Sequence, residues 1–200
     1  EVAVTYGTNG FYLPFKQDYE VEGFSAVTYK GTSADHYIGG VGFQPDFLWT
    51  KLRSHTDHHI FRDIVRDGST TMVKSIRPSH HGAEYTGSGS LTTTSNGFSV
   101  SGHDGGEFNY NTYTYATWNW KAGGTAVSNT DGTVTSSVSA NTDAGFSIVN
   151  YVGNNVDGAT VAHGLSKAPE MIIIKNRDAT DDWRVYHSGN TAAPETDYIE

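Results

Sequence analysis

Two blocks of this 200-residue chain recur, in the same order, further along it. Gly23-Phe-Ser-Ala-Val-Thr-Tyr-Lys-Gly31 matches Gly145-Phe-Ser-Ile-Val-Asn-Tyr-Val-Gly153 at an offset of 122. Gly42-Phe-Gln-Pro-Asp-Phe-Leu-Trp-Thr-Lys-Leu-Arg53 matches Ser166-Lys-Ala-Pro-Glu-Met-Ile-Ile-Ile-Lys-Asn-Arg177 at an offset of 124. Pro45 with Pro169, Lys51 with Lys175, Arg53 with Arg177 and Asp57 with Asp181 anchor the second match, and a two-residue insertion between the blocks explains the change of offset. A repeat of this length is one structural unit used twice. The chain therefore divides into a lead-in segment (1–22), a first repeat unit (23–144) and the start of a second (145–200). The first unit has 122 residues and the second 56, so the second is expected to be incomplete, short of its full length by roughly 65 residues.

Each unit is expected to be all-β, a β-sandwich or jelly-roll-like fold. The 23 Gly and 12 Tyr, with many Thr, Ser and Val, describe strands and turns. Phe24, Ala26 and Thr28 alternate with Ser25, Val27 and Tyr29 up to the turn cluster Lys30-Gly31-Thr-Ser. Phe47–Lys51 follows Pro45-Asp46. His59–Val65 is apolar with a spacing that also permits one helical turn, and Asn96-Gly97 is a hairpin signal before Phe98-Ser-Val100. Tyr113–Lys121 reads as a long aromatic strand with Trp118 and Trp120 on one face and Tyr115, Thr117 and Asn119 on the other. The Trp face is expected to be core, since large aromatics on one face of a central strand usually are. Thr133–Ser139 is a polar strand with Val134 and Val138 on one side. Turn signals about every 10 residues suit a sandwich or jelly roll.

Charge and composition exclude several functions. Thirteen Lys plus Arg against 22 Asp plus Glu leave a net charge of −9, a poor match to a phosphate backbone, so no nucleic-acid partner is expected. The absence of Cys removes disulfide scaffolds and thiol catalysis. No apolar run approaches the ~20 residues needed to cross a bilayer, so no membrane insertion is expected; the longest, Met171–Ile174, is expected to be at most a buried strand.

Histidine offers the first candidate chemistry. His55, Asp57, His58 and His59 carry imidazole and carboxylate groups suited to a metal, and His80, His81 and Glu84 carry more. The spacing is not that of a helical H-E-x-x-H site, and solvated loop histidines are the alternative reading. Glu84, Glu107, Asp104 and Asp63 are carboxylates of the kind a glycosidase uses, but no spacing singles out a pair. Gly87-Ser-Gly-Ser90 lacks the spacing and context of a nucleophile elbow. With no catalytic constellation present, the chain is expected to be non-enzymatic and to need no cofactor. The aromatic run is the remaining functional hint. Tyr110, Tyr113 and Tyr115, with Asn119 to read hydroxyls, are candidates for a platform on which sugar rings stack.

Gly42–Arg53, Trp118-Asn-Trp-Lys-Ala-Gly-Gly124, Ser128-Asn-Thr-Asp-Gly-Thr-Val134, Ser139-Ala-Asn-Thr-Asp-Ala-Gly-Phe-Ser147 and His163-Gly-Leu165 leading to Pro169–Arg177 carry a family resemblance. Together they resemble a β-rich repeat of bacteriophage virion and tail-fibre proteins, especially those of marine podovirus-like phages. That repeat often follows a laminin-G or concanavalin-like domain, and Thr5–Phe15 looks like the joining segment. The His-rich stretch Ser54–His59 departs from the family pattern. The resemblance implies a structural, adhesive component of the virion surface, in contact with other virion subunits as a homo-oligomer and with a host surface glycan. A carbohydrate-binding module of a secreted bacterial protein is the alternative, and a virion-associated glycan depolymerase a weaker one.

Overall fold

The computed structural model describes residues 22–103 and 105–190. The chain is nearly all-β, with several antiparallel sheets and a single helical turn among the described residues. The lead-in expectation falls almost wholly outside those residues.

Eight strands and one short helix make the first body. In chain order they are β1 (Phe24–Lys30), β2 (His36–Gly39), β3 (Phe47–Leu52), β4 (His59–Asp63), α1 (Ile64–Asp67), β5 (Thr71–Ser75), β6 (Tyr85–Thr94), β7 (Gly97–Ser101) and β8 (Thr114–Trp120). One sheet has the order β1-β8-β3-β4, the other β2-β7-β6-β5, and every pairing is antiparallel. Between the sheets lie Leu48, Ile38, Met72, Leu91, Phe98, Val100 and Phe108, joined by Val41 and, from α1, by Ile64 and Val65. Fully burying each large apolar side chain contributes about 1.5–3 kcal/mol. The stretch His59–Val65 uses both conformations its spacing permits. It is strand until the Asp63 carboxylate accepts a hydrogen bond from the Arg66 amide, which starts α1. Gly68, in the left-handed region at φ 65°, ends it.

On β8 the two faces are those the alternation defines, but their roles are reversed. Tyr115, Thr117 and Asn119 face the sandwich interior and are buried, whereas Trp118 and Trp120 stand half-buried on the outer face. The outer face is apolar because a second layer covers part of it. Trp120 packs against Phe24, Phe47 and Phe146, Trp118 against Trp49, and Phe61 against Trp49 and Trp183.

Phe146 and Trp183 come from the second part of the chain, made of β9 (Val127–Asn129), β10 (Ser136–Asn141), β11 (Phe146–Tyr151), β12 (Met171–Ile174) and β13 (Arg184–His187). These form a three-stranded sheet, β11-β10-β9, and a hairpin, β12-β13. The hairpin reproduces β3-β4 in register: Phe47 is opposite Asp63, and Met171, 124 residues on, is opposite His187, also 124 residues on. Met171–Ile174 was expected to be a buried strand and is not. All four side chains are exposed, and among the described residues β12 has only β13 beside it.

Candidate functional site

Three loops meet at one end of the sandwich, at residues 31–35, at 53–58, and at 102–103 with 105–113. Asn109, fully buried, ties two of them together. Its Oδ1 accepts from the Thr32 amide at 3.1 Å, and its Nδ2 donates to the carbonyls of Ala34 at 3.1 Å and Gly102 at 2.8 Å. Gly31 fits here because it has no side chain: a Cβ would meet the Tyr110 carbonyl oxygen at 2.3 Å. Its amide donates to the Tyr113 carbonyl at 2.8 Å, and its carbonyl accepts from the Thr112 amide at 3.2 Å. Thr112 itself sits at φ 71°, a left-handed conformation that is a real outlier for a β-branched residue. That turn sets Tyr110 and Tyr113 side by side.

The result is a row of four rings on the surface. The His55 imidazole stacks on Tyr113, centroids 4.0 Å apart and 24° from parallel; Tyr113 lies 4.8 Å from Tyr110; His103 meets Tyr110 edge-on at 5.4 Å. His55, Tyr110 and His103 are exposed and Tyr113 is half-buried. Around the row stand Asn111, whose amide donates to Ser33 Oγ, and Ser54, whose Oγ accepts from the Thr114 amide.

The other candidates of the aromatic platform lie elsewhere. Tyr115 is fully buried beneath the row. Its hydroxyl accepts from the Tyr110 amide at 2.9 Å and donates to the Gly106 carbonyl at 2.7 Å, and burial pushes its pKa up to about 12. Asn119 is fully buried on the inner face of β8, donating to the Ser25 and Thr117 carbonyls. Neither reaches a surface ligand. Both are on the strand face that the sandwich covers, and they serve its polar interior.

The metal candidates diverge. His55 is in the ring row. The Asp57 carboxylate caps the His58 amide, and His58 Nδ1 lies 3.0 Å from Ser79 Oγ. His59 Nδ1 accepts from Trp49 Nε1 at 2.8 Å, so its lone pair there is in use. Burial, then Lys51 and His58, lower the His59 pKa. His80 and His81 stack on each other at 4.8 Å, with His58 edge-on to His80. Among the described residues no group of three or more His, Asp or Glu side chains converges as a metal site would require.

Carboxylates are held by arginines instead. Glu84 accepts from Arg66 Nη1 at 3.0 Å and from Arg177 Nε and Nη2 at 3.0 and 2.8 Å. Asp63 pairs with Arg66. Glu107, buried, takes Arg77 at 2.5 Å and the Tyr85 hydroxyl at 2.5 Å.

The sequence match comes from a family whose model, described as a domain of unknown function (DUF7483), spans residues 20–200. The chain belongs to DUF7483. No curated protein and no solved structure matches it. The DUF7483 match runs through both occurrences of the repeat and includes all four rings of the row.

Sequence reasoning missed His103, Asn109 and Thr112 in this DUF7483 chain. His103 carried no motif; its place follows from the connection between β7 and β8, two strands of different sheets, which brings residue 103 to Tyr110. Asn109 and Thr112 lie in the Asn-rich stretch before β8, which signals a turn but not which loops the turn joins.

Proposed function

We propose that this chain is a structural, adhesive module of a phage virion, a tail fibre or other component of the particle surface, and that the His55–Tyr113–Tyr110–His103 row binds a host surface glycan. The exposed ring row carries this reading. Aromatic faces take the C–H face of a pyranose, while phenol, imidazole and amide groups at the rim take its hydroxyls. The resemblance of Gly42–Arg53, Trp118–Gly124 and Pro169–Arg177 to phage repeats supplies the setting. Binding is favoured over cleavage because Glu84, Glu107 and Asp63 are each engaged by an arginine, and at Glu84 the hydrogen bonds and charges of Arg177 and Arg66 outweigh burial and lower the pKa, the opposite of what an acid catalyst needs.

The test is glycan-array binding of the wild-type chain, then titration of the best glycan into wild type, Tyr110→Ala and Tyr113→Ala. Each ring contact is worth about 1 kcal/mol, so each variant is expected to bind roughly fivefold more weakly while unfolding at the same denaturant concentration as wild type. A glycan bound equally by all three proteins overturns the assignment of the row. Gold-labelled antibody against the chain is expected to decorate intact particles, and unlabelled particles overturn the virion setting.

A further inference from the structure

The second part of the chain holds two strand edges that face no partner among the described residues, and the first part shows what fits between them. In the first sheet β1 and β3 are not paired with each other. β8 lies between them, pairing Phe24 with Trp120 on one side and Phe47 with Trp120 on the other. The repeat maps β1 onto β11 at an offset of 122 and β3 onto β12 at 124. Among the described residues β11 is the outermost strand of its sheet, and β12 is bonded to β13 alone. The order β1-β8-β3-β4 thus recurs as β11, an open position, β12 and β13.

Three further observations fit that open position. Leu48, on β3, is fully buried; its equivalent Ile172 is 39% exposed, and Met171, Ile173 and Ile174 are exposed too. A strand apolar on both faces belongs inside a layered sheet, not at its edge. The β12-β13 register equals that of β3-β4, so the hairpin already has the geometry of the complete sheet. Finally, Arg177 Nη1 donates to Asn150 Oδ1 at 2.6 Å, so β11 and the end of β12 are held within one arginine side chain of each other.

The geometry points to a strand-accepting slot: β11 and β12 are its two walls, and its occupant is a single strand of the repeat's own sequence, alternating as Thr114–Trp120 does. The inserted strand pairs with both walls and converts two small sheets into one of four strands. This inference rests on the repeat and the registers, and is independent of the glycan reading.

The probe is a synthetic peptide of sequence Tyr113–Lys121, added to the 200-residue chain and followed by NMR amide exchange. A second peptide, with Thr117→Pro, cannot pair along both edges. The expected result is at least tenfold slower exchange at the amides of β11 and β12 that point into the slot, with the first peptide only, and loss of that effect in the Ile173→Pro chain while the amides of β6 and β7 stay protected. No slowing at millimolar peptide, or slowing at one wall alone, overturns the proposal. Protection of β12 in the peptide-free chain that rises with protein concentration overturns it as well, by assigning the edge to a second copy.

Discussion

Arg177, just after β12, forks onto Glu84, just before β6, with Nε on Oε2 at 3.0 Å and Nη2 on Oε1 at 2.8 Å. The pair joins residues 93 apart in sequence and fastens the second part of the chain to the sandwich. The backbone adds to it, since the Glu84 amide donates to the Arg177 carbonyl at 2.9 Å. Arg66 shares the carboxylate from the sandwich side.

Removing the fork should loosen the junction without unfolding the sandwich. Arg177 is 28% exposed, so solvent screens part of the interaction, and Arg177→Ala is expected to cost about 1–2 kcal/mol. Amide exchange should quicken at β12 and β13 while β6 and β7 hold their protection. Uniform quickening throughout would contradict a local role.

Acid should act on the same junction. Burial alone would raise the Glu84 pKa, but the hydrogen bonds and charges of Arg177 and Arg66 hold it below the ordinary value of 4.5. A carboxylate depressed in the folded state stabilises it above the unfolded pKa, and that contribution fades as pH falls through the folded value. NMR shifts of β12 and β13 are therefore expected to move below about pH 4.5, and Glu84→Gln should remove the transition.

A second pH window comes from His59. Its pKa is lowered by burial and by Lys51 and His58, from 6.5, so the unfolded chain takes up this proton first. The stability involved is whole above about pH 6.5 and falls as the solution is acidified below it. Urea midpoints measured from pH 7.5 to 5.5 should decline for wild type and decline less for His59→Gln. Equal slopes would remove His59 as a cause.

Gly89 lies inside β6, where a Cβ would sit 2.4 Å from Phe108 Cζ and 2.9 Å from the Ser101 carbonyl oxygen. Its own carbonyl accepts from Arg62 Nη1 at 2.9 Å, and the Arg62 guanidinium stands over the Phe108 ring at 4.6 Å. Gly89→Ala overpacks this contact. It is expected to cost about 1–3 kcal/mol and to lower the melting temperature by roughly 2–12 °C, read by circular dichroism.

Thr112 offers the opposite sign. Its left-handed backbone stores about 1 kcal/mol or more, and Asn tolerates that conformation better. Thr112→Asn is expected to stabilise the chain by about 0.5–1 kcal/mol in urea unfolding and to leave the Tyr110–Tyr113 pair in place.

Much of the fold was legible in the residues. The alternation in Phe24–Lys30, the Pro45-Asp46 entry to β3 and the Asn96-Gly97 turn are local signals, and local structure obeyed them. The face of β8 was not legible for a physical reason. Period-two patterning separates Tyr115, Thr117 and Asn119 from Trp118 and Trp120 but is symmetric between inside and outside. Trp rings ordinarily decide such a case; here Trp120 meets Phe146, and Phe61, beside Trp49, meets Trp183, from a layer that only the folded chain supplies. Ring neighbours at the candidate site were hidden similarly. Tyr110 and Tyr113 are close in sequence, but His55 and His103 reach them through loop geometry, and the fate of Glu84 depended on an arginine 93 residues away.

The aromatic layer outside β8 has an optical consequence. The chain has four tryptophans, and all of them, Trp49, Trp118, Trp120 and Trp183, stand in that layer, while the sandwich interior holds Tyr and Phe but no indole. Indole emission is therefore a built-in gauge of the contact between the two parts of the chain. A red shift that precedes the loss of sandwich structure on denaturation reports their parting.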